Sequence, residues 1–154
     1  MVKPRWLDES QQRLWQGYLH VNQDLFAALE HQLADESGLS GADYRVLHPL
    51  SQAPDGLLRA RDLGSEIGWD RSRLSHHLSR MEKRGLVTRE ECAEDARGLM
   101  VRLTKAGRRA IEAAAPGHAE AVRRLFFDQL SNDEIETMVA VFDRVLDKLR
   151  RERA

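Results

Sequence analysis

Cations, hydroxyls and imidazoles cluster between residues 69 and 87, in the stretch WDRSRLSHHLSRMEKRGLV. Guanidinium groups bind phosphate oxygens and guanine edges, and serine and histidine side chains exchange hydrogen bonds with phosphates and bases. The chemistry that these residue types support is therefore recognition of a polyanion such as duplex DNA. Taken alone, the same cluster is also compatible with a solvated basic helix face.

The charge of the chain is unevenly distributed. Residues 69–109 contain eleven Lys and Arg against six Asp and Glu, whereas the other residues contain thirteen against nineteen. The overall net charge of −1 therefore conceals a basic segment within an acidic chain. Such an asymmetry favours a polyanionic partner.

The spacing of residues in the basic stretch predicts a helix over about 70–84. Asp70 is its expected N-cap, and Gly85 is the expected left-handed residue after its end. Three apolar residues at four- and three-residue steps form its buried side, namely Leu74, Leu78 and Met81. The opposite side then carries the polar and basic side chains, which are Ser72, Arg73, His76, Ser79, Arg80 and Lys83.

Neighbouring elements complete a recognisable unit. A short helix over about 61–67 and a turn at Gly68 precede the basic helix, which is the helix-turn-helix arrangement. Strand-like runs follow at 86–88 and 99–103, and the polar stretch EECAEDARG between them predicts a β-hairpin with a charged tip. The whole is a winged helix, in which the basic helix enters the major groove.

Before this unit, two further helices are predicted. A broad apolar stripe indicates a first helix over about 8–34, which must pack on other parts of this chain or on a second copy. Ser40 is the expected N-cap of a second helix. Pro49 falls inside that pattern and should bend or shorten the helix.

After the hairpin, Thr104 begins another predicted helix, which we expect to be interrupted or kinked at Pro116-Gly117. Ser131 and Glu134 have the spacing of a capping box and begin the last helix. The sequence thus predicts a mainly α chain with a single small hairpin.

Composition excludes several classes of protein. A chain of 154 residues fits one domain, and there is no run of about 18 apolar residues that would predict a membrane span. The N-terminus does not resemble a secretion signal, and the single cysteine, Cys92, excludes an internal disulfide. These features predict a cytoplasmic protein.

Enzymatic motifs are also missing from the sequence. We find no P-loop, no dinucleotide-binding glycine pattern, no Ser/His/Asp or Cys/His arrangement and no zinc-ligand spacing. We therefore predict a protein that is not an enzyme and that binds no cofactor or metal.

The stretches LGSEIGWDRSRLSHHLSRMEKRGLV and EDARGLMVRLTKAGRRA together resemble the MarR family of bacterial transcriptional regulators. The resemblance extends over essentially the whole chain. It implies a homodimer that binds palindromic double-stranded DNA. The parts of a single MarR-type chain, 1–154, would be dimerisation helices at 8–36 and 104–152 and a winged helix-turn-helix lobe at 40–103, with the recognition helix at about 70–84 and the wing at about 86–103.

By the same resemblance, the DNA contacts of the recognition helix are expected from Arg71, Ser72, Arg73, Ser75, His76 and Arg80. Arg73 would reach a guanine edge, and His76 a base or a phosphate. In the wing, Arg97 resembles the arginine that enters a narrow minor groove, oriented by an ion pair with Asp95. The adjacent His76 and His77 predict binding that is sensitive to pH near neutrality.

Members of the family often bind a small aromatic or phenolic effector between the first helix and the DNA-binding lobe. The residues of this chain that match such a pocket are Trp15, Tyr18, Phe26 and His48. Aromatic residues at helical spacing are more often core residues, which is the alternative for this set. Cys92 lies in the wing among acidic neighbours, which favours a bystander over a redox-sensing thiol.

We therefore predict a homodimeric repressor that binds a palindromic operator and is released by an effector. The alternative from another class is a winged-helix protein-interaction module, whose basic face would dock an acidic partner protein without sequence-specific DNA binding.

Overall fold

The computed structural model describes residues 3–91 and 98–153, and the chain divides into two compact units, residues 1–119 and 120–154. The division falls within the fifth helix. The elements, in chain order, are α1 (Glu9–Ser37), α2 (Gly41–Gln52), β1 (Leu57–Arg59), α3 (Ala60–Ile67), α4 (Arg71–Lys83), β2 (Val87–Glu91), β3 (Leu99–Leu103), α5 (Lys105–Leu125) and α6 (Asn132–Arg153). The predicted fold class, a mainly α winged helix-turn-helix, is confirmed.

The helix-turn-helix consists of α3 and α4. Gly68 ends α3 in the left-handed conformation, at φ 72°, which favours glycine. Asp70 then caps α4, because its carboxylate accepts the backbone N–H of Arg73 at 2.9 Å. Past the end of α4, Gly85 is again left-handed at φ 73°, as its position in the sequence predicts.

The wing is an antiparallel hairpin of β2 and β3, with Val87 opposite Leu103 and Glu91 opposite Leu99. The structure adds the strand β1, which pairs with the other edge of β3, so that the sheet order is β1-β3-β2. The sequence analysis did not predict β1, because a strand of three residues is too short to show a period.

The core of the first unit holds α4 in place. Leu74, Leu78 and Met81 are buried, as predicted, within a cluster to which α1, α2, α3, the sheet and α5 all contribute. Hydrophobic burial of this stripe leaves the opposite side of α4 facing solvent. The packing of the lobe therefore decides which side chains α4 presents.

One proline prediction needs correction, since the expected interruption at Pro116-Gly117 is wrong because α5 is one helix. Pro49 lies inside α2, as predicted, and the helix continues for three residues beyond it to Gln52. Proline removes one backbone hydrogen bond, but tertiary packing compensates for that loss. In α2 the residues around Pro49 that anchor the helix in the core are Val46, Leu47 and Leu50.

Each unit also presents apolar side chains to solvent. In the first unit, α1 exposes Leu14 by 76 %, and only Leu29 and Leu33 of this helix are buried. In the second unit, the exposed apolar residues of α6 are Val139, Val141, Phe142, Val145, Leu146 and Leu149. Among the described residues, no helix combines the length and the hydropathy that crossing a membrane would require.

Candidate nucleic-acid interface

The outer side of α4 carries all of the recognition-helix residues predicted from the sequence. Arg71, Ser72, Arg73, Ser75, His76 and Arg80 are all exposed. An open concavity lies over this helix, lined by Arg71, Ser72, Arg73, Ser75, His76 and Ser79. The structure thus brings the predicted residues together on one surface, which we call the α4 outer face.

Arg73 does not extend freely into solvent. Its guanidinium carbon lies 4.3 Å from the centroid of the Trp69 ring, and Trp69 itself is buried in the turn between α3 and α4. A cation–π contact of this kind contributes about 0.5–2 kcal/mol. Trp69 therefore restricts the orientations that Arg73 can adopt on the α4 outer face.

A buried carboxylate lies behind α4. Asp43 of α2 is 1 % exposed, and its oxygens accept hydrogen bonds from the Ser40 backbone N–H (3.0 Å), His77 Nε2 (2.9 Å) and Arg84 Nη1 (2.8 Å). Burial by itself would raise the pKa of this carboxyl group. The Ser40 backbone hydrogen bond and the Arg84 guanidinium outweigh burial and hold the Asp43 pKa below its ordinary value.

His77 connects this carboxylate to the α4 outer face. It is 7 % exposed, and its Nδ1 lies 2.9 Å from Nη2 of Arg80. Because a guanidinium group can only donate, Nδ1 must accept, and the ring proton resides on Nε2 and is donated to Asp43. Burial lowers the His77 pKa, Arg80 and Arg84 act in the same sense, and only Asp43 opposes them. His77 is therefore neutral near pH 7.

The pair of adjacent histidines thus divides between two environments. His76 lies on the α4 outer face, whereas His77 lies in the core with its ring perpendicular to that of Trp69, 5.5 Å between centroids. The two histidines therefore cannot contribute to a pH response of binding in the same way, because His76 is exposed and His77 is buried.

The root of the wing is attached to α4 by side-chain hydrogen bonds. Arg89 of β2 donates to Ser79 Oγ at 3.0 Å and to Glu82 at 3.3 Å, and Glu82 also accepts the Arg89 backbone N–H at 2.9 Å. These bonds to Arg89 lower the pKa of Glu82. The first strand of the wing therefore has a defined position relative to the recognition helix.

Close packing at the other strand reinforces that position. The Thr104 hydroxyl lies 2.6 Å from the Gly85 carbonyl oxygen and accepts the Gly107 backbone N–H at 2.9 Å. At Gly107, a Cβ atom would collide with the carbonyl oxygen of Leu86. Glycine is thus required where α5 begins against the end of α4. The predicted wing-tip residues Asp95 and Arg97, and also Cys92, lie outside the described residues.

The predicted effector residues lie on two helices. Trp15, Tyr18 and Phe26 are about half exposed on α1, where Trp15 and Tyr18 stack with centroids 5.7 Å apart. His48 is exposed on α2 and stacks on Tyr44 at 5.9 Å. The contacts of the described side chains do not join His48 to the α1 aromatics.

A different aromatic cluster surrounds Tyr44. His118 of α5 approaches this ring to 4.2 Å between centroids, and its Nδ1 is buried without a hydrogen-bond partner among the described residues. Burial, together with the nearby His48, lowers the His118 pKa. Burial also raises the pKa of the Tyr44 hydroxyl.

Sequence reasoning named His77 only for pH sensitivity, and it assigned no role behind the α4 outer face to Asp43, Trp69 or Arg89. One signal was available, since His77 falls within the three- and four-residue spacing of Leu74, Leu78 and Met81. That spacing places a polar side chain on the buried side of the helix. Such a residue requires a buried partner, which the sequence does not identify.

Comparison with known proteins gives consistent results. Residues 37–98 match the sequence model of the MarR family. Over 121 residues the chain is 31 % identical to the transcriptional regulator HosA of Escherichia coli O157:H7, covering 79 % of this chain and 85 % of HosA.

Two solved structures from Streptomyces coelicolor are similar over nearly the whole chain. AbsC, a MarR family transcriptional regulator, is 36 % identical with a TM-score of 0.92, covering 96 % of this chain and 99 % of AbsC. Sco3205, a MarR family transcriptional regulator solved in complex with DNA, is 35 % identical with a TM-score of 0.91, covering 96 % of this chain and 92 % of Sco3205. These relatives are transcriptional regulators and not enzymes, in agreement with the prediction from the sequence.

Proposed function

The chain belongs to the MarR family of transcriptional regulators, and from that premise we propose that it is a homodimeric repressor of a palindromic operator, released by a small effector. The observation that carries the proposal is the α4 outer face, where cationic and hydroxyl side chains are exposed on the helix that follows the turn. Acting on chromosomal DNA, the protein works in the cytoplasm.

The proposed contacts divide by chemistry. Arg73 reads a guanine edge, because a guanidinium group matches the O6 and N7 acceptors of guanine in the major groove. The remaining contacts, to phosphates or bases, come from Arg71, Ser72, Ser75, His76 and Arg80. The Sco3205 complex with DNA supports DNA as the partner of this chain, since that relative shares the fold at 35 % identity.

In the wing, we assign Arg97 to the minor groove and Asp95 to the ion pair that orients it. The bonds of Arg89 to Ser79 and Glu82 support a wing whose root has a constant position relative to α4.

Dimerisation is the second part of the proposal. The exposed apolar residues of α1, and those of α6, would each be covered by a second copy, since large exposed apolar side chains grouped on a helix mark an interaction site. The dimerisation helices are those at 8–36 and 104–152, and the DNA-binding lobe is 40–103. Two α4 helices separated by about 34–36 Å would then occupy adjacent major grooves on one side of the duplex.

Release is the third part. A small aromatic or phenolic molecule bound near Trp15, Tyr18, Phe26 and His48 would favour dimers whose recognition helices have a different separation. DNA affinity would fall by population shift, since only one separation fits the operator. The exposed aromatic rings of α1 support this location.

The test starts from the purified full chain. Its mass in solution is measured by light scattering, and bound duplexes are recovered from fragmented genomic DNA, sequenced and footprinted. A dimer that protects a twofold-symmetric site supports the proposal. A protein that recovers no duplex at low ionic strength, but binds an acidic protein through the α4 outer face, would be a protein-interaction module instead.

A further inference from the structure

We propose that Asp43 and His77 are positioning residues for DNA binding, which orient Arg80 on the α4 outer face as long as His77 is neutral. This inference rests on the proposed function, because it names the regulation of the same surface.

The geometry is a line of hydrogen bonds across α4. Asp43 Oδ1 accepts from His77 Nε2 at 2.9 Å, and His77 Nδ1 accepts from Arg80 Nη2 at 2.9 Å. Asp43 and His77 are buried, whereas Arg80 is exposed. The buried lobe is thereby connected through one imidazole to a guanidinium group on the DNA-facing surface.

The free-energy cost of burying Asp43 and His77 indicates that this line of hydrogen bonds has a role. Burying a carboxylate and an imidazole requires that every polar atom be paired, and apolar residues of similar volume would fill the same space without that requirement. Here the pairing is complete, since Ser40, His77 and Arg84 satisfy the Asp43 carboxylate. Among the described residues, the bond of His77 that leaves the core is the bond to Arg80.

Holding Arg80 in place favours DNA binding, because it reduces the conformational entropy that this side chain loses when it binds. A long arginine side chain loses rotamer freedom when it contacts a phosphate, and a side chain that is already restricted loses less. One guanidinium nitrogen of Arg80 bonds to His77, and a guanidinium group has further N–H donors with which it can bind a phosphate oxygen.

Protonation of His77 would remove this restraint. The groups that face the ring are Asp43 from α2, Arg80 within α4, Arg84 at the end of α4 and Trp69 from the preceding turn. A proton on Nδ1 would place a donor and a positive charge against the Arg80 guanidinium. Arg80 would then leave its position, and affinity for DNA would fall as the pH decreases.

Two substitutions separate positioning from a merely structural role. His77→Gln keeps a donor for Asp43 but loses the acceptor at the Nδ1 position. His77→Asn keeps an acceptor at that position but loses the donor to Asp43, so it should be the less stable protein. If His77 only stabilises the fold, His77→Asn should bind DNA more weakly than His77→Gln. The proposal expects the opposite order.

Binding is measured by fluorescence anisotropy with a labelled duplex of the enriched operator sequence, and folding is followed by thermal unfolding. His77→Gln should weaken binding by about 3- to 10-fold. In an Arg80→Ala background the same substitution should change affinity by less than roughly 1.5-fold, because its effect acts through Arg80. His76→Gln is the matched control, and its effect should be the same in both backgrounds.

A further experiment measures DNA binding as a function of pH. It compares the parent protein with His77→Asn, whose side chain keeps an acceptor at the Nδ1 position and does not titrate. Between pH 7.5 and 5.5, in steps of about half a unit, the parent should lose affinity relative to His77→Asn. A constant ratio, additive effects of His77→Gln and Arg80→Ala, or no effect of Arg80→Ala would each overturn the positioning role. If the parent protein binds no duplex, the proposed function itself fails, which is a separate result.

Discussion

The winged helix-turn-helix lobe and the long helices α1 and α6 use apolar residues in opposite ways. In the lobe, the apolar side of α4 is buried, and the buried polar residues Asp43 of α2 and His77 of α4 are hydrogen-bonded to each other. On α1 and α6, large apolar side chains such as Trp15 and Phe142 remain about half exposed in the single chain. The apolar side of α4 is therefore covered within the first unit, whereas the exposed apolar faces of the long helices are expected to be covered by a second copy.

The largest effect should come from the lobe core. Leu78→Ala, at a fully buried position of α4, should lower the free energy of unfolding by about 2–5 kcal/mol, because it leaves a cavity in the packed lobe. Urea unfolding followed by circular dichroism measures this loss. Leu99→Ala, on the exposed wing strand, is the control and should cost less than about 1 kcal/mol. Equal losses would contradict the close packing of the core around Leu78.

The next effect should separate assembly from folding. Val145→Asp places a carboxylate on the exposed apolar face of α6, where a second copy would have to bury it. The dimer dissociation constant should rise by roughly 30- to 150-fold, about 2–3 kcal/mol, as measured by sedimentation. Thr137→Asp, at an exposed polar position of the same helix, is the control. A Val145→Asp protein that remains fully dimeric would remove α6 from the interface.

A third change tests a side chain that the lobe presents on the α4 outer face. Arg73→Ala removes a guanidinium group that stacks on Trp69 and should weaken operator binding by about 1–3 kcal/mol. Discrimination at one base pair of each half-site should also decrease. Competition with single-base operator variants measures both quantities. If affinity decreases equally for every sequence, Arg73 contacts a phosphate and not a base.

The smallest effect concerns pH. The pKa values of His77 and His118 are lowered in the folded chain, so the unfolded chain takes up protons more readily. Stability from these groups is therefore fully present above about pH 6.5 and is lost as the pH falls towards their folded values. Melting temperatures between pH 8 and 5.5 should decrease on the acidic side. His77→Gln should flatten that decrease, and an unchanged slope would show that His77 does not contribute.

Prediction from the sequence succeeded where the signals are local. Asp70 and Gly85 bound the recognition helix, and Ser131 with Glu134 begins α6, because capping depends on residues within one helical turn. The prolines show the limit of such rules. Pro49 and Pro116 carry the ordinary local penalty, yet both helices continue, since packing against the rest of the unit outweighs it.

The candidate site was predicted in part. Its outer residues follow from the helical period once the buried stripe is identified, which is why Arg73, His76 and Arg80 were found. The arrangement behind the α4 outer face was not predicted. A polar residue on the buried side of a helix, such as His77, indicates only that it needs a partner, and the sequence does not identify that partner.

The sequence by itself therefore determined the order of the elements and the side of α4 that meets solvent, since caps and apolar periods act over a few residues. Only the tertiary structure decided that Asp43 meets His77, 34 residues away, and that Arg73 and Arg80 are held by Trp69 and His77. Contacts of this kind depend on how separate helices pack together, and no local pattern in the chain specifies that packing.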